Sequence, residues 1–484
     1  MDLEVAHSRC KDRLVWTIEQ LQGKVEPTQL ENITELIIQT MTGPWRHFHT
    51  PDHIFEVGGS FEISGTADAV EVLAALFHDL VYVQVDHGVS INIGSYIAPF
   101  IKEVKGKEVK GQLVIREATD MPSSPMFDLV AAIFGFTPGQ ALSPMAGQNE
   151  FLSALIAAQS LEPVLSTSTI AQVVACIEAT VPFRPLSPSG LSPSEMLYQR
   201  LSVANNQSNF GWSESQIIEI VKRCVRLANR DVENFAYSDS ADFLDNTWNL
   251  LPETNHELIN ANSYTVAGYR RSLKNMEGFM NFLSPEQVFQ RFKGEPDEET
   301  YQELISKTRK NLEVAKLYLG TKLVSIALIE ALSASLGRDI PVSTMMGELP
   351  IPGIKTPALV DFLPDIQNPR KPSSELEIEV LGLLSQGRNQ ESPYDLKNSP
   401  IATFIVKSIG FDQMAHLIKF SKEFFAGKIS ASEFLDKCDA DVVRTIAVGV
   451  RQLFESRADC FMWIEAKRNN HSCVLPNSDY CQEP

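Results

Sequence analysis

The feature that most constrains this chain is the run Val70-Glu71-Val72-Leu73-Ala74-Ala75-Leu76-Phe77-His78-Asp79-Leu80-Val81-Tyr82. A helix that is apolar on nearly every side must be buried, so the fold has to wrap other elements around this one. The same burial sharpens the chemistry at its end. An ionised aspartate is costly to take out of water unless a cation or strong donors compensate it. A divalent metal is the simplest compensation, because such a cation takes carboxylate and imidazole together.

Histidines are scarce in the 484 residues, nine in all, yet His47, His49, His53, His78 and His87 fall in one short stretch. The first group lies in Trp45-Arg46-His47-Phe48-His49-Thr50-Pro51-Asp52-His53. Thr50 fits an N-cap and Pro51 the first helical position, which places His53 in the first turn and His49 just outside it. Two imidazoles so spaced can point into one cavity, one as ligand and the other as proton donor. His47 alternates with His49 along an extended approach and reads as solvent-facing or as lying behind the ligands, and His87 reads as a loop histidine.

A third group emerges from the helix that starts at Ser213. Its apolar stripe runs Ile217, Val221, Cys224, Ala228, Asp231 and Phe235, so a carboxylate occupies a core position. A metal ligand on a facing helix needs such a place, whereas a surface carboxylate does not. Asp239, Asp242 and Asp245 follow the end of the stripe and read as solvated. Arg270 and Arg271 read as a solvated helix face.

The remaining periodicity predicts an all-α chain. Helices are expected from Thr28 to Gly43-Pro44 and over 51–58, 66–82, 89–105, 126–134, 148–158, 168–179, 213–236 and 297–335. The last of these carries Leu304, Leu312, Ala315, Leu319, Leu323, Ile326 and Ile329, which suits either core packing or the seam of a homodimer. Prolines punctuate 182–193 and, more densely, 341–372. The expected division is a helical metal-binding domain with its extension over 1–340, a linker over 341–373, a C-terminal helical region over 374–465 and a polar tail over 466–484.

A formal net charge of -19 without a basic stripe excludes docking on extended nucleic acid or anionic lipid. A small anionic substrate stays compatible, because a metal and a few arginines reverse the field inside a pocket. Seven scattered cysteines without a CxxC pair, no apolar run of eighteen residues and no leader-like N-terminus predict a cytoplasmic chain with no membrane span.

The order H, HD and a distant D resembles the HD superfamily. His49-x-x-x-His53, Ala75-Leu76-Phe77-His78-Asp79-Leu80-Val81-Tyr82 and Asn229-Arg230-Asp231-Val232 are similar to its predicted metal-dependent phosphohydrolase branch. The first piece also resembles the H-N-x-x-H element of cyclic-nucleotide phosphodiesterases. The resemblance covers roughly residues 30–240. It implies an HD-type helical core with one divalent ion (Mn, Mg, Ni, Co, Fe or Zn) held by His53, His78, Asp79 and Asp231. It further implies His49 as general acid, Arg46 near the phosphate, and hydrolysis of a small phosphoester or nucleotide-type substrate. Two departures stand out. Asp86-His87-Gly88-Val89-Ser90-Ile91-Asn92 replaces the branch's acidic Asn-Glu element, leaving a second metal without obvious ligands, and Phe183 stands where a histidine is common. These departures make a nucleotide-sensing or interaction module the alternative expectation.

Overall fold

The computed structural model describes residues 1–59, 68–104, 111–259, 264–335, 340–347 and 357–468. It is predominantly helical, as the periodicity predicts, and divides into two compact units. The first comprises Met1–Ser238 with Leu283–Arg309, and the second comprises Asp239–Phe282 with the chain from Lys310 onward. The units therefore part at other places than the proline-rich stretch over 341–373, which falls inside the second unit. Positions 348–356 of that stretch, and 469–484 of the polar tail, lie outside the described residues.

In the first unit α1 (Leu3–Gln20), α2 (Pro27–Met41), α3 (Pro51–Val57) and α4 (Ala69–Phe77) lead to α5 (Ile91–Ile97) and a hairpin of β1 (Ile101–Val104) and β2 (Gln112–Ile115). Helices α6 (Pro125–Phe134), α7 (Gln148–Leu161), α8 (Thr167–Ala179), α9 (Pro193–Ser208) and α10 (Glu214–Asp231) follow, and the short α13 (Pro285–Val288) returns to this unit. The constraint read from the sequence is met by α4. Every residue from Val70 to Phe77 is buried, and α1, α3, α7, α8 and α10 pack around it. The Asp68 carboxylate caps its start by accepting from the Val70 and Glu71 N–H groups, as a helix N-terminus requires. Its expected span, 66–82, shortens to Ala69–Phe77; positions 66 and 67 lie outside the described residues, and the chain turns away after the C-cap His78.

Two other spans differ from expectation. The helix expected over 89–105 ends at Ile97, and Ile101–Val104 forms a strand antiparallel to Gln112–Ile115, with Ile101 opposite Ile115. β-branched residues on both strands, with Ile101 and Ile115 turned into the core, favour the pleated ladder over a further turn of helix. The helix expected to Ala236 stops at Asp231 and continues as a 3₁₀ turn, Glu233–Ala236, which still buries Phe235.

The second unit contains α11 (Ser240–Thr254), α12 (Val266–Phe282), most of α14 (Glu298–Ala334), α15 (Val342–Met346), α16 (Glu375–Gln386), α17 (Pro400–Phe425), α18 (Ala431–Leu435) and α19 (Ala440–Arg468). Helix α17 breaks at Gly410, whose φ of 83° belongs to the left-handed region that favours glycine. The apolar stripe of α14 from Leu312 to Ile329 is buried inside the protein. One expectation fails here. Asp245 is not solvated: it is 2% exposed on α11, accepts from Arg388 Nη1 at 3.0 Å, and caps the Asn389 and Gln390 N–H groups at 3.0 and 2.9 Å. Its buried partner lies far along the chain, where no local pattern could reveal it.

Candidate metal centre

Four side chains from three helices and the turn after α4 converge in the first unit. One ligand atom each from His53, His78, Asp79 and Asp231 lies within 4.8 Å of the others, so the group can hold a metal ion. His53 Nε2 is 3.3 Å from Asp79 Oδ2 and 3.2 Å from Asp231 Oδ1. His78 Nε2 is 3.0 and 3.2 Å from the same two oxygens. The sequence therefore identified all four members of the cluster, including the carboxylate 152 positions beyond Asp79.

Local structure explains each placement. Thr50 is the N-cap of α3 and Pro51 its first residue, which puts His53 in the first turn. His78 is the C-cap of α4, and its Nδ1 lies 2.8 Å from the Ala75 carbonyl. A carbonyl accepts only, so Nδ1 carries a proton and the neutral ring presents a bare Nε2 lone pair to the carboxylates. Lone pair against carboxylate is repulsive unless a second proton or a cation stands between them. Donor chemistry thus fits a divalent ion: two neutral imidazoles and two carboxylates balance its charge.

The electrostatics carry the same message. Burial alone would lower the His53 pKa, but Asp231 and Asp79 outweigh it and raise it to about 9. His78 is raised well above its usual value by Asp79 and Asp231 against the same desolvation. Burial would raise both carboxyls, yet His78 with His49 holds Asp79 well below the ordinary range, and His78 with His53 brings Asp231 down to about 2. In the absence of an ion, protons take the place of the missing positive charge.

The scaffold around the cluster is held by ion pairs. Arg230 donates from Nε to the Val57 carbonyl at 2.8 Å and pairs with Glu71 at 2.7 Å, and Arg226 reaches Glu71 at 2.9 Å. These contacts tie the end of α10, and hence Asp231, to α3 and α4. Arg46 has a related part. Its buried guanidinium bonds the Asp79 carbonyl at 2.7 Å and the Leu80 carbonyl at 3.0 Å, and pairs with Asp86 at 2.6 Å. The Arg46 fork thus clamps the turn that carries Asp79. His49 does face the cluster, its ring 5.6 Å from that of His53 and 4.6 Å from that of Tyr82. His47 is exposed, the first of its two expected places.

Glu150, in the first turn of α7, is a further carboxyl with a displaced pKa. An acidic group there reads as a complement to the helix dipole. The available signal was a carboxylate at the head of the mostly apolar run Phe151–Leu161. Burial, with the charges of Asp79 and Asp231, pushes its pKa up to about 7 against the opposing pull of its own backbone N–H and of Arg184. A cavity of about 500 Å³ borders Ala228 and Val232, on either side of Asp231 in the chain, with Phe183, Arg184, Phe289 and Tyr301 also in its wall. No family model, curated protein or solved structure matches this chain.

Proposed function

We propose that this chain is a metal-dependent phosphohydrolase acting on a small phosphoester or nucleotide-type substrate. The observation that supports this most is the arrangement at His78, whose protonated Nδ1 is spent on Ala75 while Nε2 faces two carboxylates beside His53. A divalent ion bound there supplies Lewis-acid stabilisation of phosphoryl oxygens and makes water a better nucleophile. His53, His78, Asp79 and Asp231 hold it. His49, outside the ligand set but in contact with the His53 ring, donates a proton to the leaving oxygen. Arg46 keeps the Asp79 turn in register.

One observation favours a second reading, in which the same site serves a nucleotide-sensing or interaction module. The cation expected to meet the phosphate, Arg46, is committed to Asp86 and two carbonyls. Elemental analysis of the purified protein, coupled to a panel of nucleotides and generic phosphoesters, separates the two. The phosphohydrolase reading expects about one ion per chain and turnover. It also expects Asp79→Ala to lose the ion, and His49→Gln to keep it while turnover falls by roughly 10²- to 10⁴-fold. Bound ion without turnover on any substrate selects the module, and a protein that retains no divalent ion overturns both.

A further inference from the structure

We propose that Tyr82 is a positioning residue for His49, its ring holding the His49 imidazole where it can protonate the leaving oxygen; this rests on the phosphohydrolase reading, with His49 as its acid. His49 precedes Thr50, the N-cap of α3, and so lies outside the helix. A half-buried imidazole on such a segment turns about its χ1 and χ2 bonds unless neighbours fill the other orientations. Three rings stand around it at steep angles: Phe48 at 5.0 Å and 74°, His53 at 5.6 Å and 85°, and Tyr82 at 4.6 Å and 73°. Edge-to-face contacts are directional, so they select a ring orientation as well as filling space. Phe48 and His53 belong to the same short stretch as His49 and travel with it. Tyr82 comes from another stretch, and its ring is the nearest of the three.

The backbone that carries Tyr82 is fixed on both sides. The Val81 N–H donates to Ser153 Oγ at 3.0 Å and the Val83 N–H to Asn149 Oδ1 at 3.2 Å, both on α7. The Tyr82 carbonyl accepts from the Val85 and Asp86 N–H groups at 3.0 and 2.9 Å. Asp86 in turn pairs with Arg46, whose fork holds the carbonyls of Asp79 and Leu80. Tyr82 and Asp79 therefore share one hydrogen-bonded frame, and the Tyr82 ring extends that frame to His49. The consequence is geometric, because proton transfer needs hydrogen-bond reach and a small misplacement costs much of the rate. In the step concerned, water adds to phosphorus and the bond to the leaving oxygen breaks, its electron pair going to that oxygen. His49 gives the oxygen a proton, and the proton that water releases restores His49.

The test uses the full-length protein loaded with manganese, with phenyl phosphate and p-nitrophenyl phosphate as probes. Tyr82→Leu should lower kcat on phenyl phosphate, whose basic leaving group needs the proton, by about 10- to 100-fold, with KM and manganese affinity nearly unchanged. The loss on p-nitrophenyl phosphate should be much smaller. Tyr82→Phe keeps the ring and should restore most of the rate. In a His49→Gln background Tyr82→Leu should cost nothing further, as expected of two residues that act through one step. Equal losses on both esters, the same loss with and without His49, or loss of manganese overturns the proposal and makes Tyr82 part of the scaffold. Histidine ring resonances of the parent, loaded with zinc and assigned with His49→Gln, need neither turnover nor the leucine variant. One set of His49 signals with cross-relaxation to the Tyr82 ring is expected; several exchanging sets, or no such contact, overturns the proposal even if phosphoesters are hydrolysed. Conversely, a parent that binds the ion, keeps this contact and hydrolyses no phosphoester removes the phosphohydrolase reading and leaves Tyr82 as the residue that orders the His49 ring.

Discussion

Both units bury carboxylates against permanent cations, as Glu71 against Arg226 and Arg230 in the first, but the metal-centre cluster of the first unit settles its charge differently. In the second unit Asp245 meets Arg388, and Lys322 donates to Asp395 at 2.8 Å and to Ser399 at 3.0 Å. Trp248 Nε1 also donates to Asp395 at 2.7 Å, and the Trp248 ring lies under both the Arg388 and the Lys322 cations. Each of these carboxylates has a permanent cation and additional donors. In the first unit the Asp79 and Asp231 carboxylates face two imidazoles whose positive charge depends on pH. Burial of charge alone therefore does not mark a functional site. A buried set whose charge closes only with a proton or an added ion does.

The sharpest way to break this contrast is to remove one carboxylate from each unit. Asp245→Ala strands a buried guanidinium, which costs about 3–5 kcal/mol. It should unfold the second unit early in a denaturant titration while leaving ion content unchanged. Asp231→Ala should do the reverse, abolishing ion retention with little change in the unfolding of the second unit. Ion loss in Asp245→Ala, or ion retention in Asp231→Ala, would erase the distinction.

A second test is the pH dependence of the ion-free protein. The His53 pKa is raised from 6.5 to about 9, so its contribution to stability is full below 6.5 and lost as pH rises through 9. Glu150 has the same sign, its contribution fading as pH rises from 4.5 through about 7. Asp231, lowered from 3.8 to about 2, contributes above 3.8 and is lost as pH falls through 2. With a chelator present, Tm of the first unit should thus fall as pH rises from 6.5 to 9. An added divalent ion competes with the imidazole protons, so the Tm increment it produces should grow over the same interval. An increment that stays flat with pH would mean that the imidazoles are not ligands.

What the sequence made legible follows the range of the forces involved. Helix α4 and the histidines around it were readable because apolar periodicity, the Pro51 start and the Asp79 carboxylate are local signals. Asp231 was readable because a carboxylate in a core stripe contradicts its own helix. Asp245 was misread, and the carbonyl contacts of Arg46 were missed, because both depend on partners from other elements: Arg388, and the carbonyls of residues 79 and 80. The β1 strand failed for a related reason, since its identity depends on pairing with Gln112–Ile115 across a loop.

Arg46 offers the finest division between the two accounts of the site. If its fork positions Asp79, then both Arg46→Ala and Arg46→Lys should weaken ion affinity by roughly 10- to 100-fold, because a residue behind a ligand tunes the ligand's geometry. Lysine keeps the charge but cannot span Asp86 and two carbonyls at once. KM for a phosphoester, measured at saturating ion, should then change little. The opposite pattern, unaltered ion affinity with a raised KM partly restored by lysine, would place the arginine against the phosphate after all. It would also mean that binding substrate breaks the Asp86 pair, and Asp86→Asn should then lower KM where the positioning account expects weaker ion binding.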